Sequence, residues 1–139
     1  MTSITEFRGK YYFLSNFYNA SVTYDGLTYQ NNEAAFQAQK CTTLSGKQRF
    51  TNLNPSEAKK LGRRVQLRTD WEQVKIQIMY EIVLAKFKQN PDLAALLLNT
   101  GEAHLEEGNT WGDKIWGTVN GVGANNLGKI LMRVRSEIK

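Results

Sequence analysis

The chain is poor in the residues that build several common kinds of functional site. Among its 139 residues it has one cysteine, one histidine and two prolines. A single cysteine, Cys41, excludes an internal disulfide, which suits the reducing cytoplasm, where we expect the protein to be located. His104 has no cysteine or second histidine near it in the sequence, so no metal site is expected. We expect no cofactor either.

The chain also lacks long hydrophobic runs, and its basic residues are dispersed along the sequence. No apolar run approaches the ~18–20 residues that span a bilayer, so no membrane association is expected. The formal net charge of +5 is compatible with an anionic substrate such as a phosphorylated sugar, a nucleotide or nucleic acid. The basic residues are dispersed, with the densest group at residues 59–68. Charge alone therefore does not separate anion binding from ordinary surface solvation.

The order of the hydrophobic patterns predicts one mainly helical α+β domain over residues 1–139, with a small N-terminal β-hairpin. The aromatic residues 11–14 are typical of an extended strand, and Asp25-Gly26 between apolar residues predicts the hairpin. Five helices are predicted: from Asn31 or Asn32 to about residue 40, from Asn54 to about Gly62, from Asp70 to before Pro91, from Asn90 to Gly101, and from about Asn125 onward.

The polar face of the first predicted helix is the most informative feature. Glu33, Phe36, Gln37 and Lys40 recur at spacings i, i+3, i+4 and i+7, which places them on one face. In a pocket, Glu33 could move protons, and Lys40 could hold a phosphate or, when deprotonated, form a Schiff base. A solvated helix face with a salt bridge explains the same spacing, so both interpretations stay open at this point.

Further stretches have compositions typical of ligand contacts. Residues 111–128 contain two Trp-Gly pairs and a Gly-x-Gly-x-Asn run before a helix; glycines allow close approach of backbone, and free amides at a helix start attract anions. In residues 13–17, Asn16 could pair with a base or a ribose. The alternative for residues 111–128 is a tight structural connection packed by tryptophan. The alternative for residues 13–17 is a turn in which Asn16 bonds its own backbone. Arg63 is either a phosphate ligand or a surface arginine.

Taken together and in this order, these stretches resemble the NADAR (YbiA-like) family. The resemblance rests on FLSNF at residues 13–17, ExxFQAxK at 33–40, LGR at 61–63, WG at 116–117 and GxGxNxLGxxLMxxR at 121–135. It covers nearly the whole chain and implies an N-glycosidase that hydrolyses the bond between a ribose C1 and a base. Two substrate classes are implied: ADP-ribose attached to guanine in DNA or RNA, and phosphoribosylamino-pyrimidine intermediates of riboflavin synthesis.

The resemblance also implies roles for individual residues. Glu33 and Lys40 match the family's catalytic glutamate and lysine. The implied substrate-binding residues are Ser15, Asn16, Phe17, Gln37, Arg63, Trp116, Gly117 and Asn125. The implied partner is a nucleotide sugar or phosphoribosyl small molecule, or an ADP-ribosylated nucleic acid. The sequence does not indicate an oligomeric state.

The chain departs from the usual family pattern beside two of these motifs. Ala34 and Ala35 follow Glu33 where family members often carry a polar and then an aromatic residue, and Thr118 stands where Asp or Gly is common. We expect these differences to affect substrate preference. A non-catalytic module that binds ADP-ribose or a nucleotide is the alternative function, although retention of both Glu33 and Lys40 argues against it.

Overall fold

The computed structural model describes residues 3–139, which form two compact units, Asn16–Asn90 and residues 3–15 with Pro91–Lys139. The predicted α+β class is confirmed, because the described residues contain seven helices and a two-stranded antiparallel sheet. The extent of the predicted single domain, 1–139, stays a prediction, and its first two residues, Met1 and Thr2, lie outside the described part of the chain.

The unit Asn16–Asn90 begins with a β-hairpin and continues with four helices. Its elements are β1 (Asn19–Tyr24), β2 (Leu27–Asn31), α1 (Asn32–Ala38), α2 (Leu44–Gln48), α3 (Pro55–Gly62) and α4 (Trp71–Gln89). Helix α1 packs against the hairpin, α3 and α4, and all seven of its residues are buried. Such a central position obliges the polar side chains of α1 to find partners inside the protein.

The predicted hairpin is confirmed together with its turn. Asp25 and Gly26 have φ values of 51° and 86°, the left-handed pair that a two-residue hairpin turn requires. Val22 pairs with Tyr29 across the two strands, and both side chains are buried. This buried face fixes the register, because a slip of one residue would turn it toward solvent.

The predicted starts of α1 and α3 are also confirmed. At α1, the Asn31 side chain accepts a hydrogen bond from the Ala34 amide at 2.7 Å. At α3, Asn54 and Glu57 form both halves of a capping box, with distances of 2.8 and 3.1 Å. Each cap satisfies amides that the first turn of a helix leaves without an intrahelical partner.

The predicted start of α4 at Asp70 is confirmed, although no side-chain cap forms there. Asp70 precedes α4 but does not cap it, because both of its carboxylate oxygens accept from Arg68, at 2.6 and 3.0 Å. The sequence analysis does not predict α2, a helix of five residues. Its cap is Thr43, whose hydroxyl accepts from the Gly46 amide at 3.1 Å.

The other unit contains a 3-10 helix (Gly9–Leu14), α5 (Pro91–Asn99) and α6 (Asn126–Glu137). A one-residue parallel bridge pairs Ile4 with Leu105, and both side chains are buried. Helix α5 contacts α6, whose buried face includes Leu127, Ile130, Leu131 and Val134.

The strand predicted for residues 11–14 is wrong, because these residues belong to the 3-10 helix. The Tyr11 amide donates to the Arg8 carbonyl at 3.0 Å, and the Ser15 amide donates to the Tyr12 carbonyl at 2.9 Å. The strand preference of aromatic residues depends on packing against a neighbouring strand. Within residues 3–139 no strand pairs with this segment, so local i to i+3 hydrogen bonds satisfy its backbone instead.

Within the part of the chain that the structure describes, no helix is both long and apolar enough to cross a membrane.

Candidate active site

Glu33 is held in the first turn of α1, with its carboxylate inside the protein. Its backbone amide donates to the Asn16 carbonyl at 3.0 Å, and only 8% of the residue is exposed. Its Oε2 accepts from the Gln37 Nε2 at 2.6 Å. A carboxylate at this end of a helix is favoured by the helix dipole, so the position supports a charge that would otherwise be costly to bury.

Gln37 fixes that carboxylate and is itself fixed by Gly62 on α3. A Cβ added at Gly62 would collide with the Gln37 carboxamide. The glycine therefore lets α3 approach α1 closely enough to hold the amide in its orientation toward Glu33. The predicted Gly62 thus has a packing reason that the sequence does not reveal.

Lys40 lies just beyond α1, where Gln39 still has helical dihedral angles. Its Nζ donates to the Gly62 carbonyl at 3.4 Å and lies 5.9 Å from the centre of the Trp71 ring. Burial lowers the pKa of the Lys40 amine, while the negative charge of Glu33 raises it. Burial is the larger of these two causes, so the amine is easier to deprotonate than an exposed lysine.

An aromatic wall lies beside these two residues. The Phe36 and Trp71 rings are 5.0 Å apart at 50°, a tilted arrangement that aromatic pairs favour. Trp71 is not among the site residues that the sequence predicts. Its contact with Phe36 and its closeness to the Lys40 amine make it part of the site.

Asn32 is a second residue that the sequence analysis misses as part of the site. It lies four residues before Phe36, on the edge of the same helix face. It is buried, and neither its Oδ1 nor its Nδ2 has a hydrogen-bond partner within residues 3–139. A buried amide without partners is destabilising, and such costs are concentrated at functional sites.

Three other predicted residues surround this face within the same unit. Asn16 is buried, and its Nδ2 donates to the Met79 sulfur at 3.4 Å. The Phe17 ring lies under the Lys59 amine at 5.7 Å. Arg63 ends α3 directly after Gly62, is exposed, and its guanidinium has no hydrogen bond or ion pair within the described residues. The structure therefore brings Arg63 close to the Lys40 amine through Gly62.

The remaining predicted residues, Ser15, Trp116, Gly117 and Asn125, belong to the other compact unit. The Trp116 amide donates to the Asp113 carboxylate at 2.9 Å. A Cβ at Gly117 would collide with the Glu107 carbonyl. This glycine therefore allows two loop segments to pack closely.

Asn125 joins this loop to α6 through its side chain. Its Oδ1 accepts from the Glu107 amide, and its Nδ2 donates to the Leu105 carbonyl, each at 3.0 Å. The amides of Asn126 and Leu127 donate to loop carbonyls at 3.2 and 3.0 Å. The expectation of free amides at this helix start is therefore wrong for these two residues, because the loop itself occupies them.

The three departures from the family pattern are all buried. Ala34 and Ala35 are fully inaccessible, and Thr118 donates its hydroxyl to the Glu106 carboxylate at 2.5 Å. Any effect of these residues on substrate preference would therefore act through packing or loop position. That effect stays a prediction.

The remaining candidate side chains are engaged elsewhere in the fold. His104 lies 3.3 Å from the Glu106 carboxylate, and no metal-binding group of three His, Cys, Asp or Glu residues occurs within residues 3–139. Cys41 is buried, and burial raises the pKa of its thiol, which makes it a poor nucleophile.

The fold and the polar face of α1 together define a small α+β protein with a buried carboxylate and a half-buried amine about two helical turns apart. The chain belongs to the NADAR family, whose NADAR domain matches residues 5–139.

Comparisons with individual proteins agree with this assignment. The chain is 39% identical over 128 residues to the N-glycosidase YbiA of Shigella boydii, covering 89% of this chain and 79% of that protein. It is 37% identical over 131 residues to the riboflavin biosynthesis protein VVA0006 of Vibrio vulnificus, covering 91% of this chain but only 35% of that protein. The solution structure of E. coli YbiA matches 99% of this chain and 86% of its own chain with a TM-score of 0.86, at 36% sequence identity.

Proposed function

We propose that this protein is an N-glycosidase that hydrolyses the bond between a ribose C1 and the nitrogen of a base, with Glu33 and Lys40 as catalytic residues. The observation that carries the proposal is the pair itself: a buried carboxylate aligned by Gln37, about two turns from a half-buried amine whose pKa burial lowers. Relatives named N-glycosidase YbiA and riboflavin biosynthesis proteins support this reaction class.

Two routes use this pair. In direct hydrolysis, the C1–N bond breaks through an oxocarbenium-like state, and Glu33 takes a proton from the water that attacks C1 and passes it to the leaving nitrogen. In the covalent route, the neutral Lys40 amine adds to C1 of the ring-opened imine and displaces the base as an amine. Water, activated by Glu33, then hydrolyses the resulting Schiff base and restores Lys40.

Supporting roles follow from the contacts already described. Gln37 aligns the Glu33 carboxylate, and Asn16 holds the Glu33 amide through its carbonyl. We assign Phe17 to contact with the base and Arg63 to contact with a phosphate. In the other unit, we assign Ser15, Trp116 and Gly117 to substrate contact and Asn125 to holding the loop that carries Trp116.

The substrate class is tested by incubating the protein with two compounds in separate reactions. One is a phosphoribosylamino-pyrimidine, and the other is DNA carrying ADP-ribosylated guanine; mass spectrometry detects the free base and the released sugar. We expect release from at least one of them, and relatives named for riboflavin biosynthesis favour the pyrimidine. Binding of both without release would instead support the non-catalytic module.

The same reactions quenched with borohydride separate the two routes. The covalent route predicts a stable adduct on Lys40, because borohydride reduces a Schiff base to an amine that water cannot hydrolyse. An unmodified Lys40 during rapid turnover would assign the direct route.

A further inference from the structure

Lys40 lies in the turn that follows α1, and its backbone is held there by Arg68. The Lys40 carbonyl accepts from the Arg68 backbone amide at 3.0 Å. The carbonyl of Gln39, one residue earlier, accepts from the Arg68 Nη1 at 3.4 Å. Carbonyls at the end of a helix lack intrahelical partners, and Arg68 supplies donors to two of them. It therefore ties the end of α1 to the segment that leads into α4.

The Arg68 side chain is fixed in turn by Asp70. The Arg68 Nε and Nη2 donate to the two carboxylate oxygens of Asp70 at 2.6 and 3.0 Å. This bidentate pairing sets the orientation of the guanidinium as well as its place. With Nη1 donating to Gln39, all three guanidinium nitrogens are used, so the group is a rigid brace between the start of α4 and the end of α1.

Asp70 makes this pair in place of a helix cap. It stands at the N-cap position of α4, where an aspartate ordinarily accepts from an amide of the first turn, but in the described part of the chain its carboxylate makes no such bond. Departures from a local rule of this kind are expected at functional sites. The Trp71 amide donates to the Arg68 carbonyl at 3.3 Å, so the same turn places the Trp71 ring, whose centre is 5.9 Å from the Lys40 Nζ.

We propose that Arg68, aligned by Asp70, is a positioning residue for Lys40 and holds the Lys40 amine beside Trp71 in the place where it acts on the substrate. This inference rests on the proposed function, in which Lys40 is catalytic, and it gives that residue a support outside α1. Arg68 acts here only through Lys40. A misplacement of ~1 Å can lower the rate of an enzyme on the order of 100-fold, so losing the support should slow turnover.

The first test is steady-state kinetics on a ribosylated substrate that the wild-type protein cleaves. Arg68→Met keeps an unbranched side chain and removes every donor from it. We expect it to lower kcat at least ~10-fold and to change KM by less than ~3-fold, because it displaces a catalytic group without removing a substrate contact. Arg49→Met is the matched control, since Arg49 is exposed at the end of α2, and it should have wild-type kcat and KM.

Asp70→Ala tests the brace while Arg68 itself stays in place. We expect it to lower kcat at least ~3-fold, and the double variant with Arg68→Met to be no slower than Arg68→Met alone, because residues that act as one unit have non-additive effects.

The second test is a nuclear Overhauser measurement that does not depend on turnover. Contacts between the Lys40 methylene protons and the Trp71 ring protons report where the amine lies. We expect these contacts in wild-type protein and in Arg49→Met, and we expect their loss in Arg68→Met.

An Arg68→Met protein with the wild-type kcat would overturn the positioning role, as would a slow Arg68→Met protein whose Lys40–Trp71 contacts persist. A double variant slowed by the product of the two single effects would show that Asp70 does not act through Arg68 and would overturn the brace. If wild-type protein releases no base but the contacts require Arg68, the proposed reaction fails and the hold of Arg68 on Lys40 stands. If base is released but the contacts persist without the Arg68 side chain, the reaction stands and the positioning role fails.

Discussion

Glu33→Gln is expected to lower the rate of base release by two to four orders of magnitude, the range typical of losing a general acid or base. Glutamine has nearly the same shape and can still accept the hydrogen bond from Gln37, so we expect the fold to survive. An amide cannot take a proton from water or return one to the leaving nitrogen. The loss should therefore appear in kcat, with KM changed by less than about threefold.

This prediction is measured by steady-state kinetics on whichever ribosylated substrate the wild-type protein cleaves. Asp92→Asn is the matched control, because it removes one carboxylate charge at an exposed position of α5. It should have wild-type kcat and KM. A Glu33→Gln protein whose kcat lies within about threefold of the wild-type value would exclude Glu33 as the catalytic acid or base.

Lys86→Met is expected to remove most of the increase in the free energy of unfolding that the wild-type protein shows as the pH rises above 7. Lys86 is fully buried on α4, with its Nζ 5.6 Å from the centre of the Tyr18 ring and 5.2 Å from that of Phe87. Burial lowers its pKa from 10.5 to about 7. Below pH 7 the amine is charged in both the folded and the unfolded chain, and burial of that charge destabilises the folded state.

As the pH rises above 7, the folded state loses this proton while the unfolded chain, whose lysine has the ordinary pKa of 10.5, keeps it until about that pH. The unfolded state then binds more protons, so the free energy of unfolding increases with pH in this window. The slope approaches about 1.4 kcal/mol per pH unit, and the whole window corresponds to about 5 kcal/mol at most. Lys40, whose pKa is also lowered by burial, contributes in the same direction.

Urea unfolding at pH 7, 8 and 9 measures this effect. Wild-type protein and Lys88→Met, which replaces an exposed lysine of the same helix, should both gain stability across this range. Lys86→Met should gain much less and should be the more stable protein at pH 7. Parallel pH profiles for Lys86→Met and Lys88→Met would show that Lys86 is not the group responsible.

The parts of the fold that the sequence predicts are those with strong local chemistry. Asp25-Gly26 specifies its turn because few other pairs adopt two left-handed conformations. Asn54 specifies the start of α3 because its capping partners lie three residues away. The 3-10 helix at Gly9–Leu14 is not predictable in this way, because its aromatic residues would form a strand only with a neighbouring strand to pair with.

In the candidate site, too, the residues related by local spacing are predictable, and those brought together by packing between helices are not. The spacing of Glu33, Gln37 and Lys40 is local, so the sequence predicts that they share a face. Trp71 reaches that face only because α4 packs beside α1, and no spacing within α1 contains this information.

The central claim is that the polar face of α1 is where the ribosyl group binds, and chemical-shift mapping tests it most directly. Isotope-labelled wild-type protein is titrated with ribose 5-phosphate, and the amide shifts are followed to saturation. We predict the largest changes at Glu33, Gln37, Lys40 and Gly62. Saturable binding that leaves these four amides unmoved would contradict the account.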